Sequence, residues 1–304
     1  MPVNRNDEYR AENAAGRPGV RYYERGSAGV YASSGLLSLR GVRHGFSARV
    51  GCPEGLGGNF DPLREGCDAR IGLENITRFA RCCGFSDTDG GAYTRQVHGA
   101  RVRTVTMADR RAHDAARGEE CDGLVTAEAG LPLYIFTADC APVLMCDPDA
   151  GVIAAVHCGW RSTAADILGN AVAAMEALGA SAGNIRAAVG PAIGGCCFET
   201  GDDVASAFTG LLGEGAAAAL IRPGERPGKF MIDLPGTVSA RLAQLGVPAG
   251  RIDLCRDCTK DRGADLLWSA RWCAERGVPR GSSVSAIELL PAGFPDGGKE
   301  GERV

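Results

Sequence analysis

The sequence reads as a single α+β domain in which mixed β-sheets carry helices packed outside. Three observations support this. Apolar runs of strand length outnumber helical patterns, they do not alternate cleanly with helices as a doubly wound sheet requires, and no Pro/Ser linker or fixed-period repeat divides the chain. Residues 1–30 are polar and rich in Gly, Arg and Glu, so a flexible N-terminal segment is expected there; the domain then runs over 31–292, and 293–304 (GFPDGGKEGERV) is a solvated, flexible tail. Strands are expected at 40–47, 101–107, 121–127, 131–137, 142–147, 151–157, 185–190, 251–255 and 284–290, each a short apolar run bounded by turn-forming residues. DPDAG at 147–151 is a turn by composition. Helical spacing of Ala164, Ile167, Leu168, Val172, Met175 and Leu178 predicts a helix over 163–178, capped by Ser162 or Thr163 and closed by Gly179. Two further helices are expected at 71–83 and 236–246.

Composition narrows the function. Lys and Arg total 33 against 37 Asp and Glu in 304 residues, a formal charge of −4, so no chain-wide basic field exists to gather nucleic acid or anionic lipid. No run approaches the roughly 20 apolar residues of a membrane span, and the N-terminus lacks the apolar core of a secretory signal. A cytoplasmic protein is the expectation. The thirteen cysteines are an odd number in a long chain and several sit in apolar runs, which favours reduced, buried thiols over a disulfide framework. Only four histidines are available to any metal: His44, His98, His113 and His157.

Three motifs place metal-ligating residues among small ones: RQVHG (95–99), TADC (137–140) and VHCGWR (156–161). His98, Cys140 and His157 form a possible two-imidazole, one-thiolate set, which suits zinc and leaves a fourth position open as in catalytic sites. Spacing alone equally fits three core or loop residues satisfied by backbone partners. Cys140 and His157 can meet because one turn joins their strands, whereas His98 must be delivered by the fold. VHCGWR runs into a helix start, so Gly159, Arg161 and Ser162 offer an anion site; Arg161 also fits a plain surface residue. GPAIGGCCFETGDDV (190–204) is either a pocket wall or a turn. CRDC (255–258) has redox-pair spacing but no thioredoxin-like surroundings, so Cys255 and Cys258 are expected to be structural.

Together, HGFSAR (44–49), RQVHGARV (95–102), CDGLVT (121–126), TADCAPVLMCDP (137–148), GVIAAVHCGWR (151–161), GPAIGGCCFETGDDV and WSAR (268–271) appear in one order over residues 40 to 290. In this the chain resembles the laccase-domain family, also described as polyphenol oxidase or purine nucleoside phosphorylase. The resemblance implies a zinc-bound enzyme, with Cu2+ able to substitute, that phosphorolyses adenosine, inosine, guanosine and methylthioadenosine and deaminates adenosine. It implies metal ligands at His98, Cys140 and His157 and catalytic roles for Cys140, His157, Asp139 and Arg49. It further implies substrate or phosphate contacts at Gln96, Asn59, Gly159, Arg161, Ser162 and Arg271. The partners implied are purine nucleosides and inorganic phosphate, for a monomer or homodimer. The sequence departs from the family pattern after its FSTR-like motif, where a glycine pair is usual and ARVGCPEG stands here, and at VHCGWRS, where VHAGWRG is usual. An alternative chemistry makes Cys140 a nucleophile and His157 its base, as in a thiol hydrolase or deamidase. A copper polyphenol oxidase needs more imidazoles than four histidines supply, and a non-enzymatic zinc-stabilised binding domain is the remaining alternative.

Overall fold

The computed structural model describes residues 19–25, 28–49, 58–263 and 265–294. Two large sheets stack face to face. The first has seven strands in the order β1 (Val20–Arg25), β2 (Ala28–Ser33), β3 (Val42–Ser47), β16 (Ser283–Leu289), β8 (Leu133–Thr137), β4 (Gly90–Tyr93) and β6 (Arg111–Ala112). The second has six, β15 (Ile252–Leu254), β11 (Arg186–Val189), β9 (Ala141–Asp147), β10 (Val152–Cys158), β7 (Gly123–Thr126) and β5 (Val102–Thr104). A small third sheet joins β12 (Glu199–Thr200), β14 (Phe230–Ile232) and β13 (Ile221–Pro223). Parallel pairs (β4 with β8, β5 with β7, β11 with β15) sit among antiparallel ones, so the sheets are mixed.

Period-two alternation explains why the central strands read as unbroken apolar runs. On β9, Leu144 and Cys146 face the other sheet while Val143 and Met145 face helices; on β10, Ile153 and Ala155 alternate in the same way with Val152, Ala154 and Val156. One helix, α2 (Ala69–Cys83), covers the outer face of the first sheet through Ile76, Phe79, Ala80 and Cys83. It follows a short turn of helix, α1 (Ser34–Leu37), and runs from the Asp68 cap to Gly84 in the left-handed region (φ 71°). The outer face of the second sheet is covered by α4 (Ile167–Ala177), α5 (Asp202–Leu212) and α7 (Leu234–Gln244), preceded by the short α3 (Trp160–Ala164) and α6 (Glu214–Ala217). The last helix is α8 (Ala270–Arg276). Among the described residues no helix is long and apolar enough to cross a membrane.

Three expectations are corrected. The segment expected to be flexible over 1–30 includes β1, paired along β2, while residues 1–18 and 295–304 lie outside the described residues. The helix expected at 163–178 is two helices, because Asp166 adopts φ 59° between them and caps the second by accepting from the Gly169 amide at 3.2 Å. The cap of α3 is Gly159 rather than Ser162 or Thr163, and Ser162 accepts from the Gly159 amide at 2.9 Å from inside the helix. The stretch 190–204, read as a pocket wall or a turn, is loop and turn over most of its length, carries the short β12, and enters α5 only at Asp202.

Asp166 also takes two bonds from Arg241 on α7, at 2.8 and 2.6 Å. Asp166→Ala therefore removes a cap and an ion pair and leaves a Cβ residue in the left-handed region, at an expected cost of about 2 kcal/mol. Urea unfolding checks this, and Asp166→Asn should recover part of the loss.

Candidate metal centre

The hairpin β9–β10 creates the first half of the site. Its antiparallel register sets His157 opposite Pro142, which brings Cys140, just before β9, beside His157. The second half comes from Asp122, immediately before β7. Its fully buried carboxylate accepts from the amides of Val97 (3.1 Å), His98 (2.9 Å) and Gly99 (2.8 Å) and from His157 Nδ1 (2.8 Å). One side chain thus shapes the loop that delivers His98 and orients the His157 ring, leaving its Nε2 to face the site.

As a result one ligand atom each of His98, Cys140 and His157 lies within 4.8 Å of the others, and Cys140 Sγ is 3.8 Å from His98 Nε2. Two borderline nitrogens, one soft sulfur and a carboxylate behind one imidazole match the donor chemistry of a zinc-class ion. Backbone strain is concentrated here. Among the described residues only His98 (φ 60°), Asp139 (φ 88°) and Asp166 have positive φ without being glycine, and two of the three are or adjoin this set. Burial alone would raise the Cys140 thiol, but the two imidazoles outweigh it and bring the thiol down to about 6. Burial would likewise lower His157, yet Cys140 and Asp122 carry it up to about 9. Asp122 is held below its usual range, because its donors outweigh the cost of burial. A lowered Cys140 thiol beside an imidazole held by a carboxylate is the kind of donor set in which a metal displaces protons.

Gly159 closes the back of the set. A Cβ there would stand 2.9 Å from His98 Cδ2 and 3.1 Å from Cys140 Sγ. Gly159→Ala should weaken retention of the ion about tenfold while leaving the unfolding midpoint nearly unchanged, since its φ of −76° suits any residue. Chelator competition checks it.

The trio opens into a cleft of about 310 Å3 whose walls include Arg64, Arg95, Arg117, Arg280, Gln96 and Phe136. The arginines are arranged unequally. Arg117 bonds Asp61 at 3.1 Å and lies over the rings of Tyr93 (4.4 Å) and Phe136 (5.1 Å), whereas Arg95 pairs with Glu120 at the surface. Arg64 reaches the Arg280 carbonyl at 2.6 Å, and its pKa is lowered by burial and then by the Arg280 charge beside it. Two crowded guanidiniums at the mouth of a cleft call for an anion.

Of the residues expected to hold substrate or phosphate, Gln96 lines the cleft, its amide locked to Phe136 by bonds of 2.7 and 2.8 Å. Asn59 lies behind the wall, where Oδ1 accepts from Ser282 N at 2.9 Å. Arg161, Arg49 and Arg271 do not line the cleft. Arg161 covers its neighbour Trp160, Arg49 lies over Trp268 and bonds the Gly263 carbonyl, and Arg271 bonds the Glu199 carbonyl. Asp139 is committed elsewhere, accepting from Thr259 Oγ1 at 2.6 Å and from the Arg271 amide at 2.7 Å, so its carboxylate positions loops and does not face the cleft. Sequence reading missed Asp122, although CDGLVT held it, and missed Arg64, Arg117 and Arg280. No spacing signal marks them; only the fold gathers them. The other two histidines stand apart: His44 Nε2 accepts from the Ser33 amide, and His113 is buried against Tyr93. An imidazole set for several copper ions is therefore not assembled. Cys255 and Cys258 also separate, into cores on opposite faces of the second sheet.

A Cys/His set at the floor of an arginine-lined cleft defines a small-molecule enzyme site in an α+β domain. The chain belongs to the family described as multi-copper polyphenol oxidoreductase laccase, whose model matches residues 63–289. It is 40% identical over 248 residues to a purine nucleoside phosphorylase of Deinococcus radiodurans, covering 79% of this chain and 90% of that one. It is 35% identical over 177 residues to adenosine deaminase RL5 of an unknown prokaryotic organism, covering 57% of this chain and 66% of that one. The crystal structure of YlmD from Geobacillus stearothermophilus superposes with a TM-score of 0.78 at 29% identity, covering 90% of this chain and all of that one.

Proposed function

We propose that the chain is a zinc-dependent purine nucleoside phosphorylase, acting on adenosine, inosine, guanosine and methylthioadenosine, that also deaminates adenosine at the same site. The observation that carries this is the position of His98, Cys140 and His157 on the floor of the arginine-lined cleft. The relatives named for phosphorolysis and for deamination support it. His98, Cys140 and His157 would hold the ion, with Cu2+ as a substitute, and Asp122 would fix Nδ1 of His157 as a donor and so present Nε2 to the ion. When bound, the ion supplies Lewis acidity toward water or a substrate oxygen.

In phosphorolysis an oxygen of hydrogen phosphate bonds the anomeric carbon as the carbon–nitrogen bond to the purine breaks, and the base leaves with the proton that the phosphate gives up. Arg64 and Arg280 would hold phosphate and Arg117 would offset charge beside Phe136, against the charge separation of that step. In deamination a water oxygen replaces the amino group of the adenine ring and ammonia leaves. Thiolate attack by Cys140 is the second reading, favoured by its low pKa; a stoichiometric ion in the active protein excludes it. We place the enzyme in the cytoplasm as a monomer or homodimer.

Adenosine incubated with and without phosphate tests the reading, with products separated by chromatography. Adenine should form only with phosphate and inosine in both cases; absence of both products overturns it. Arg280→Ala should raise the KM for phosphate about tenfold or more, the loss of roughly 1.5–3 kcal/mol of charge-assisted bonding, and leave inosine formation nearly intact.

A further inference from the structure

A second cluster of metal-ligating atoms lies on the other side of the loop that carries Cys140. Cys196 and Cys197 sit in the turn between β11 and β12, and Cys258 and Asp261 sit in the turns after β15. Their four donor atoms all lie within 4.8 Å of one another. Cys196 Sγ and Cys197 Sγ donate to the two oxygens of Asp261, at 3.2 and 2.9 Å. The Gly194 amide donates to Cys258 Sγ at 3.2 Å and fixes the position of that sulfur. Cys197 N and Phe198 N both bond the Gly194 carbonyl at 2.9 Å, and a parallel bridge between Ala192 and Cys258, with Thr259 N bonded to Ala192 O at 3.0 Å, clamps the two segments.

We propose that Cys196, Cys197, Cys258 and Asp261 form a second, structural site for a zinc-class divalent ion. Three sulfurs and one carboxylate oxygen complete a tetrahedron without water, the closed arrangement of structural zinc. A zinc–sulfur bond of about 2.3 Å sets sulfur–sulfur edges of about 3.8 Å, so the sulfurs need to close by about 1 Å at most, while the Asp261 contacts to Cys196 and Cys197 need to open by a few tenths of an ångström. Binding converts three thiols to thiolates and releases their protons to solvent, with no change of oxidation state. The consequence reaches the cleft. Thr259 Oγ1 and the Ile193 amide hold Asp139 at its side chain (2.6 Å) and carbonyl (2.9 Å), and Asp139 precedes Cys140. An ion that joins the 192–198 and 258–261 segments would brace the strained residue before a ligand of the first set.

The test uses the full chain, loaded with Zn2+ and dialysed. Metal analysis should give about two ions per chain in the wild type, about one in Cys140→Ala, and about one in the Cys197→Ser/Cys258→Ser double variant. The double variant alters two side chains that also pack in the fold, so the decisive measurement is alkylation mapped by mass spectrometry in the Cys140→Ala protein. Cys196, Cys197 and Cys258 should be protected with Zn2+ and labelled at least tenfold faster after chelation. Equal labelling in both states, or a disulfide between these cysteines in the metal-free and zinc-treated protein alike, overturns the proposal. Cys140→Ala carries no ion at the first set, so protection there is read independently of the phosphorylase assignment.

Discussion

Cys140→Ala is expected to abolish metal retention at the His98/Cys140/His157 set and to lower both adenine release and inosine formation more than about 100-fold, beyond the 10- to 100-fold range of changes to residues behind a ligand. The thiolate is the one anionic donor of the three. Without it only two imidazoles remain, set edge to face with ring centroids 4.9 Å apart, and no anionic donor is left to hold the ion. The fold should survive, because Cys140 lies at a strand end and contributes no large side chain to any core cluster. The measurement is metal content by plasma emission alongside both product assays and a thermal midpoint. Both activities must fall together. If phosphorolysis persisted at the wild-type rate in metal-free Cys140→Ala, the shared-site reading would be wrong.

The second large effect is expected at Asp122. Asp122→Asn keeps the shape but replaces one accepting oxygen with a donor, in a place where three backbone amides and His157 Nδ1 all donate inward. At least one amide of the 97–99 loop is then left unpaired beside an opposing donor, in a fully buried position, which costs about 3 kcal/mol. The one oxygen that Asn keeps cannot serve the three loop amides and His157 Nδ1 as the carboxylate does, so the hold on the His157 ring weakens and metal affinity should fall 10- to 100-fold. Urea unfolding and chelator competition measure the two losses separately. An unchanged midpoint with unchanged affinity would mean that the loop is held by its own turn and not by the carboxylate. Asp122→Ala should lose more affinity than Asp122→Asn, since no acceptor remains for His157.

Much of the architecture was legible because burial on both faces of a strand leaves a plain signature. The runs at 131–137, 142–147, 151–157, 185–190 and 284–290 match β8, β9, β10, β11 and β16 within one or two residues at most ends, and α2 matches its expected 71–83 apart from two residues at its start. The small strands β12, β13 and β14, and β1 at the sheet edge, escaped notice because such short runs of mixed polar and apolar residues carry no period worth reading. The break at Asp166 escaped for a different reason: the apolar spacing continues across it, and the left-handed residue is supported by its own cap to Gly169 together with a bidentate Arg241 from another helix.

His98, Cys140 and His157 could be picked out in the chain because few residue types bind metals and those three stood in short motifs among small neighbours. The hairpin that unites Cys140 with His157 was also foreseeable, since a single turn connects the strands. The arginines that face the trio were not. Arg64, Arg117 and Arg280 come from separate loops, while Arg161 and Arg49, nearer to the motifs in sequence, are drawn onto Trp160 and Trp268. Local sequence sets which side chains are chemically able and which backbone segments turn or extend, because those properties belong to a residue and its near neighbours. Which able side chains share one cleft depends on how two sheets stack and where each loop lands, a matter of contacts between residues far apart in the chain, and here that placed Asp122 behind both histidines and turned Asp139 away.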